Sequence, residues 1–369
     1  MNKTILGLLT VSALTSCGGE SLVVGSNPDA GSDRGMGPPH DARPAHDATD
    51  ASAEPADASE EPVTASDAGD GPSDCPGESG VVTLARGQLA PDAITVDSTS
   101  VYWLTQGDSL HPSTVVSVPR CGGAKVTLWT GSLGTGVGSG IAVGSGNVYW
   151  TGGSGVRAVP VAGGTSTLVS SKASYHLAID SMNAYWTSYG PAGVVTKAPL
   201  LGGKSTKLAT APYATDVAVD SESVYFTSNA GVFKVPIAGG VTTTLWPGGA
   251  GGANLLAIDD SSVYWTASER GVMKVAKVGG APITLATSRE PQAIAVDASN
   301  VYWTDWSSCG VSCVTPESTI MKVPIDGGTT ITLVAKQNLP DAIAVDDFGV
   351  YWLDNPQSGP GEVKKVTPK

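Results

Sequence analysis

The sequence predicts an all-β fold, and composition and internal repetition carry that prediction. The 369 residues include 47 Gly and 25 Pro but only 15% charged residues, which is typical of many short strands joined by turns. A Tyr-Trp or Tyr-Phe pair recurs seven times, at intervals of 36 to 49 residues. A Gly-Gly pair recurs between apolar segments in six of these repeats. Repeats of this length are typical of four-stranded blades arranged in a ring.

Each repeat contains four predicted strands. The sixth has an inner strand at residues 293–297, a Tyr-Trp strand at 301–304, a third strand at 320–324 and an outer strand at 330–333. Their β-branched and apolar residues favour strands over helices. Because a blade cannot bury both of its faces alone, we expect a seven-bladed β-propeller at residues 75–369. The aromatic anchors between its sheets are Tyr102-Trp103, Tyr149-Trp150, Tyr185-Trp186, Tyr225-Phe226, Tyr264-Trp265, Tyr302-Trp303 and Tyr351-Trp352.

Three further residue types recur at fixed places in the repeat. An Asp follows the inner strand in six repeats, where its carboxylate can accept hydrogen bonds from backbone amides two or three residues further on. A ring of Ca²⁺ sites is the alternative role for these carboxylates. The Gly-Gly pairs permit the positive φ angles of a tight hairpin between the third and outer strands. A Lys recurs in the third strand, either as a charged binding stripe or with its stem over Tyr or Trp and a solvated ammonium group.

The two ends of the repeat region predict how the ring closes. The seventh repeat has strands at residues 342–346, 350–353 and 362–367 but no outer strand. Residues 81–85 match the outer strand at 283–286 in the fifth repeat. We therefore expect the N-terminal strand to complete the seventh sheet, which hides two sheet edges from other chains.

Residues 301–305 read Val-Tyr-Trp-Thr-Asp, which carries the YWTD signature of the β-propellers in lipoprotein-receptor ectodomains. Residues 81–369 resemble that family, and the resemblance implies a propeller without implying a function. The receptor propellers have six blades, whereas seven repeats are present here. The signature Asp is kept only at Asp305 and Asp354, so a structural role for it is not implied in the other blades. The whole chain also resembles uncharacterised bacterial lipoproteins that carry such a propeller on an Ala/Asp/Pro-rich stalk.

The N-terminal region predicts export and a membrane anchor. Residues 1–16 contain an apolar run at 5–14, which is typical of a signal peptide and too short to span a bilayer. Cys17 ends a Leu-Thr-Ser-Cys sequence that resembles a bacterial lipobox, so we expect it to receive a lipid and become the mature N-terminus. Gly18 favours sorting to the outer membrane by the same resemblance. An ordinary secretory signal that contains a Cys is the alternative.

Residues 17–74 predict a disordered, lipid-anchored stalk rich in Asp, Ala and Pro. Positions 18–74 hold 13 acidic residues against Arg34 and Arg43, a net charge of −11, whereas residues 75–369 hold 21 acidic and 18 basic residues, a net charge of −3. The stalk has too few apolar side chains to offset the entropy of ordering. No basic patch suits a phosphate backbone, so the sequence predicts no nucleic-acid partner.

The remaining four cysteines agree with an oxidising compartment. We expect Cys309 to pair with Cys313 across a short loop, and Cys75 to pair with Cys121 and join the chain before the first strand to the first blade. A zinc site is the alternative, but no His lies near the two close cysteines.

One column of the aligned repeats is polar in every blade yet varies in kind, unlike the uniform scaffold columns. It lies two residues before each central apolar residue of the inner strand, at one mouth of the channel, where ligands of propellers often bind. A wetted pore mouth without a ligand is the alternative. The column residues are Asp92, Ser139, Tyr175, Thr215, Asn254, Gln292 and Asp341.

Two pairs of residues at this mouth have a possible chemistry. Asp92 and Asp341 lie in adjacent blades across the closure and are candidates to share a cation such as Ca²⁺. His176 and Asp216, one position further along, are candidates for a base and the group that orients it. The sequence otherwise predicts no cofactor. It favours an outer-membrane-anchored, non-enzymatic module that binds an unidentified protein or small molecule, and the alternative is a metal-dependent hydrolase or lyase with its site at the channel mouth.

Overall fold

A computed structural model describes residues 75, 79–108, 110–134, 140–249, 251–306, 318–356 and 359–369. The signal peptide, Cys17, the stalk, Ser139, Cys309 and Cys313 lie outside the described residues. The described residues form strands and turns and contain no helix. In these ranges there is accordingly no helix with the length and apolar character needed to cross a membrane.

The strands are short and follow the predicted order. In chain order they are β1 (Gly80–Gln88), β2 (Pro91–Val96), β3 (Ser100–Thr105), β4 (Ser113–Pro119), β5 (Val126–Gly131), β6 (Ile141–Gly144), β7 (Asn147–Gly152), β8 (Gly155–Pro160), β9 (Thr167–Ser170), β10 (Leu177–Ile179), β11 (Asn183–Thr187), β12 (Val194–Pro199), β13 (Thr206–Thr210), β14 (Ala214–Val219), β15 (Ser223–Ser228), β16 (Gly231–Pro236), β17 (Thr243–Trp246), β18 (Leu256–Ile258), β19 (Ser262–Ala267), β20 (Gly271–Ala276), β21 (Ile283–Ala286), β22 (Pro291–Val296), β23 (Asn300–Asp305), β24 (Ser318–Pro324), β25 (Ile331–Gln337), β26 (Pro340–Val345), β27 (Val350–Asp354) and β28 (Gly361–Thr367).

These strands form seven antiparallel four-stranded sheets, and each sheet is one blade. Blades one to six are consecutive sets of four strands, from β2–β5 to β22–β25. Blade seven has the order β1-β28-β27-β26, so the N-terminal strand of the described residues is its outer strand. The inner strand of each blade contacts the inner strands of both neighbours, and β26 contacts β2, which closes the ring. The prediction of a seven-bladed propeller closed by the N-terminal strand is confirmed.

The closure is an extended antiparallel pairing. Strand β1 pairs with β28 from Gly80 opposite Thr367 to Gln88 opposite Gly361. The predicted disulfide between Cys75 and Cys121 is also formed. It links the chain just before β1 to the turn after β4 in blade one, across a sequence separation of 46 residues. Loop-closure arguments give such a cross-link about 4 kcal/mol of stability.

The core lies between the blades, where the aromatic anchors of the second strands point to opposite faces. Trp103 packs with Leu353 and Val363 of blade seven, whereas Tyr102 packs with Trp150 of blade two. Six anchor tryptophans are less than 2% exposed. Because each blade buries one large aromatic residue against each neighbour, removing one such ring should cost about 3–5 kcal/mol.

The Asp after the inner strand caps the turn, as predicted, and also binds the anchor tyrosine. Asp259 Oδ1 accepts hydrogen bonds from the amides of Ser261 and Ser262, each at 2.7 Å, and Oδ2 accepts one from the Tyr264 hydroxyl at 2.6 Å. The same Asp–Tyr bond occurs in the other five repeats that carry the Asp. Burial raises the pKa of Asp220, but hydrogen bonds from the Lys277 ammonium, two amides and Tyr225 outweigh it and lower the pKa to about 2.

The prediction of solvated lysine ammonium groups is wrong for four of the five third-strand lysines. Their Nζ atoms donate to a backbone carbonyl in the next blade, just after its third strand. The ammonium group of Lys274 does lie near the Tyr264 ring, with Nζ 5.4 Å from the ring centroid. The lysines therefore join neighbouring blades and are not a binding stripe. The bonds are Lys197 to Ile237, Lys234 to Lys277, Lys274 to Ile325 and Lys365 to Arg120, at 2.5, 2.7, 2.8 and 3.1 Å.

Candidate functional site

The varied polar column lies at the start of the inner strands, on the side of the ring that also holds the loops between second and third strands. We call this side the mouth face. The opposite side, with the Asp turns and the Gly-Gly hairpins, is the turn face. The six described column residues are all half-buried, which is the exposure expected of side chains around an opening. The seventh, Ser139, lies outside the described residues.

The backbone of this column is held by a Thr near the end of the second strand. Thr227 Oγ1 accepts a hydrogen bond from the Asp216 amide at 3.0 Å in its own blade and donates one to the Asn254 carbonyl at 2.6 Å in the next blade. Thr151 and Thr266 make the same two bonds. These hydroxyls therefore join consecutive blades at the mouth, and the side chains of the column are left to vary. The sequence shows this Thr as part of the aromatic anchor motif but not the bond to the next blade.

His176 and Asp216 lie together, as the sequence predicted. His176 Nδ1 is 3.2 Å from Asp216 Oδ1, and both side chains are mostly buried. The Asp216 carboxylate also accepts hydrogen bonds from the amides of Val217 and Leu256, both at 2.8 Å. Two backbone amides fix the carboxylate, so the carboxylate can fix the orientation of the imidazole. This arrangement resembles a base with its orienting group.

Tyrosine rings extend from this pair along the rim of blades three and four. The ring centroids of His176 and Tyr175 are 4.8 Å apart, and those of Tyr175 and Tyr189 are 5.6 Å apart. Tyr213 continues the row at 5.6 Å from Tyr189. Tyr189 is 59% exposed and Tyr213 is 36% exposed. We call Tyr175, Tyr189 and Tyr213 the tyrosine ridge.

The backbone of Tyr213 adopts a conformation that recurs just before the inner strands. Its φ angle is +53°, and the matching residues Ala90, Gly252 and Leu339 have φ angles of 45°, 61° and 52°. Its amide bonds the Gly190 carbonyl at 2.8 Å, which ties the loop before blade four to the loop that carries Tyr189. Sequence reasoning found Tyr175 through the column but missed Tyr189 and Tyr213, because no tyrosine recurs at the matching positions of the other blades.

Three column residues use their side chains inside the scaffold. Thr215 Oγ1 lies 2.8 Å from Thr227 Oγ1 and bonds two carbonyls of the next blade. Asn254 Nδ2 donates to Ser268 Oγ at 3.3 Å, and Gln292 Nε2 donates to the Glu290 carbonyl at 3.4 Å. These three residues shape the opening through their contacts with the scaffold. The exposed tyrosines of the ridge lie at blades three and four.

Asp92 and Asp341 also lie close enough to interact across the closure. Burial raises the pKa of Asp341 to about 7, and the negative charges of Asp92 and Asp354 add to the shift, while a hydrogen bond from Asn355 Nδ2 at 2.6 Å opposes it. Among the described residues, no three His, Cys, Asp or Glu side chains converge in a way that suits a metal ion. The two carboxylates are close enough for the charge of Asp92 to affect the pKa of Asp341.

Comparisons with known proteins show the fold. No protein-family model matches the sequence, and no curated protein is similar to it in sequence. Virginiamycin B lyase from Staphylococcus aureus has a TM-score of 0.60 at 14% identity, over 78% of this chain and 98% of that one. Oligogalacturonate lyase from Vibrio parahaemolyticus also has a TM-score of 0.60, at 10% identity, over 78% of this chain and 94% of that one.

The fold is a seven-bladed β-propeller. A computationally designed protein, Ika8, shares the architecture as well, with a TM-score of 0.52 at 14% identity over 78% of this chain and all of that one. Identities this low show common architecture and do not transfer an activity. Function must therefore be argued from the side chains at the mouth face.

Proposed function

We propose that this chain is a membrane-anchored, extracytoplasmic propeller that acts as a non-enzymatic binding module and holds its ligand on the tyrosine ridge. The observation that carries the proposal is the ridge itself. Exposed tyrosines offer a large contact surface with hydroxyl groups at little cost in side-chain entropy, which is why they are enriched at binding surfaces.

The proposed lipid anchor and the proposed outer-membrane location are inferred from the N-terminal sequence. The Leu-Thr-Ser-Cys motif at Cys17 supports lipidation, and Gly18 supports the outer membrane as its destination. The test is metabolic labelling with a fatty acid, followed by membrane fractionation. The native chain should incorporate label and sediment with the outer membrane, whereas Cys17→Ser should remain unlabelled. Equal labelling of both chains would reject the anchor.

The binding role can be tested by photo-crosslinking in intact cells. A photoreactive phenylalanine is placed at Tyr189 or Tyr213 on the mouth face, and at Met182, which is 73% exposed in an Asp turn of the same blade, as the control. We expect a discrete crosslinked species from the two ridge positions and none from Met182. Identical products from all three positions, or none from any, would count against a binding surface at the ridge.

A lyase is the second candidate, and the His176–Asp216 pair favours it. A lyase removes a proton next to the bond that it breaks, and an imidazole held by a fixed carboxylate suits that step. Both lyases to which the fold is similar provide substrates to try, virginiamycin B and oligogalacturonate. An absorbance change from new double bonds that disappears in His176→Ala would replace the binding proposal with this one.

A further inference from the structure

The exposed apolar side chains of the ring are unevenly divided between its two faces. Of the thirteen large apolar residues that are exposed in the described ranges, four lie in loops of the mouth face, namely Leu89, Leu110, Tyr189 and Tyr213. The other nine lie in loops of the turn face or at the turn-face end of an outer strand. These nine are Val81, Val126, Leu168, Met182, Leu201, Val241, Val278, Ile283 and Ile331. The exposed apolar surface is therefore concentrated at the edge of the turn face.

Three of the nine are the tips of Gly-Gly hairpins in consecutive blades. Leu201 of blade three and Val278 of blade five directly precede the glycine pair, and Val241 of blade four directly follows it. Leu201 is fully exposed, and Val278 and Val241 are 92% and 84% exposed. Three neighbouring blades therefore each present one uncovered aliphatic side chain at the turn face. We call these three residues the apolar tips.

The chain also enters the ring at the turn face. Cys75 is bonded to Cys121, which directly precedes the Gly-Gly pair of blade one, the place that Leu201 and Val278 hold in their own blades. A lipid at Cys17, as proposed above, would therefore tether the ring to a bilayer through its turn face. Because a tether keeps the local concentration of the bilayer high, contacts that are weak on their own can hold this face against it.

The shape and charge of the turn face suit a fluid apolar phase. Side chains that protrude singly from separate hairpins offer little continuous surface to a folded partner, whereas lipid chains can surround each of them and exclude water. Exposed charges of both signs lie among them, so the face does not favour a partner of one charge. They are Lys125, Lys204, Lys207, Glu222, Asp260, Asp326 and Asp347. The expected occupant is therefore zwitterionic lipid, held by the apolar tips and not by charge.

We propose that the turn face docks on the surface of a lipid bilayer, with Leu201, Val241 and Val278 inserted among the headgroups. Apolar side chains bind at this level of a bilayer in proportion to the area that they bury. The mouth face and its tyrosine ridge then point away from the bilayer and stay open to a ligand. The inference rests on the membrane anchor of the proposed function, and it adds the orientation that a tether alone does not set.

The first experiment replaces the native anchor, so that docking is tested even if Cys17 carries no lipid. Six histidines take the place of the predicted signal peptide in the Cys17→Ser chain, which is bound to phosphatidylcholine vesicles that contain a nickel-chelating lipid. A diazirine amino acid is placed at Leu201, Val241 or Val278, and at Leu110, which is 85% exposed on the mouth face, as the control. By mass spectrometry, each tip should give about fivefold more lipid adduct than Leu110, because only the tips reach the lipid.

The second experiment measures how firmly the apolar tips hold the same tethered chain. The triple variant Leu201→Asp, Val241→Asp and Val278→Asp should dissociate from the vesicles in imidazole about tenfold faster than the unsubstituted tethered chain, because it lacks the second attachment. Leu110→Asp is the matched control and should dissociate at the unsubstituted rate. The difference should persist at about 0.5 M NaCl, which screens charges but not apolar contacts.

The proposal is overturned if the tips and Leu110 give equal lipid adducts, if the triple variant dissociates at the unsubstituted rate, or if salt removes the difference. It is also overturned if the unsubstituted chain dimerises in solution and the triple variant does not, because the turn face would then be an interface between copies. Fatty-acid labelling of the native chain reports on Cys17 alone. Failure of the native anchor and failure of the docking surface are therefore told apart.

Discussion

The turn face and the mouth face of the ring differ in how far their side-chain contacts repeat from blade to blade. On the turn face six of seven blades repeat one set of bonds, from an Asp to two amides and to the anchor tyrosine. On the mouth face the repeated Thr binds the backbone of the varied column, while the side chains of the column differ from blade to blade. The comparison teaches that uniform columns of this sequence carry the scaffold, and we propose that a ligand is recognised where the columns depart from uniformity.

Blade two tests this rule on the turn face. Gly144 replaces the Asp there, and the turn instead uses positive φ angles of 49° at Ser145 and 73° at Gly146. Blade two thus forms the same hairpin through these backbone conformations, although it lacks the Asp carboxylate. The Asp cap is therefore one solution to the turn, and the packing of the anchors is the feature that all blades share.

A large loss of stability is expected from removing an Asp cap. Asp259→Ala leaves two amides and the Tyr264 hydroxyl without their acceptor, so the free energy of unfolding should fall by about 3 kcal/mol in urea denaturation. Tyr264→Phe, which removes one of these bonds, is the control and should cost about 1 kcal/mol. A loss for Asp259→Ala below that of Tyr264→Phe would contradict a structural role for the carboxylate.

The next effect concerns the closure at the mouth. The pKa of Asp341 is about 7 in the folded chain against 3.8 in the unfolded one, so its buried charge opposes folding increasingly as the pH rises from 4 to 7, and fully above 7. Asp341→Asn should therefore raise the free energy of unfolding by about 2–4 kcal/mol at pH 8 and change it little at pH 4. Urea denaturation at the two pH values measures this difference. A variant that is equally stabilised at both would show that charge is not the cause.

A smaller effect is expected from the Thr that joins consecutive blades. Thr227→Val keeps the shape of the side chain but removes the bonds to the Asp216 amide and the Asn254 carbonyl, so stability should fall by about 1–2 kcal/mol. Amide hydrogen exchange should also quicken at Asp216. Unchanged exchange there would mean that the hydroxyl does not hold the mouth.

The smallest effect tests the varied column itself. Gln292 makes one long side-chain hydrogen bond, so Gln292→Ala should change the free energy of unfolding by less than about 0.5 kcal/mol. Thermal unfolding is the measurement. A loss as large as that of Thr227→Val would remove the distinction between the scaffold and the varied positions on this face.

Periodicity predicted most of the fold because each blade repeats the same packing problem. The strands, the closure by residues 81–85 and the Cys75–Cys121 bridge follow from position along the repeat and from the cysteine count. The lysine contacts could not be predicted in this way, because the alignment of one repeat with the next does not show which atoms of neighbouring sheets are in contact. Tyr189 and Tyr213 were missed because their contacts depend on loop conformations and no tyrosine recurs at the matching positions.

The position of the Cys75–Cys121 bridge has a mechanical consequence. A pull on the chain before Cys75 reaches the disulfide before it reaches β1, so the load passes covalently to the turn after β4. Strand β1 is then not peeled from β28, although it is the first strand of the described residues and forms the outer edge of its sheet. While the bridge is intact, the tension acts on the ring at blade one, and the pairing of β1 with β28 bears little of the force.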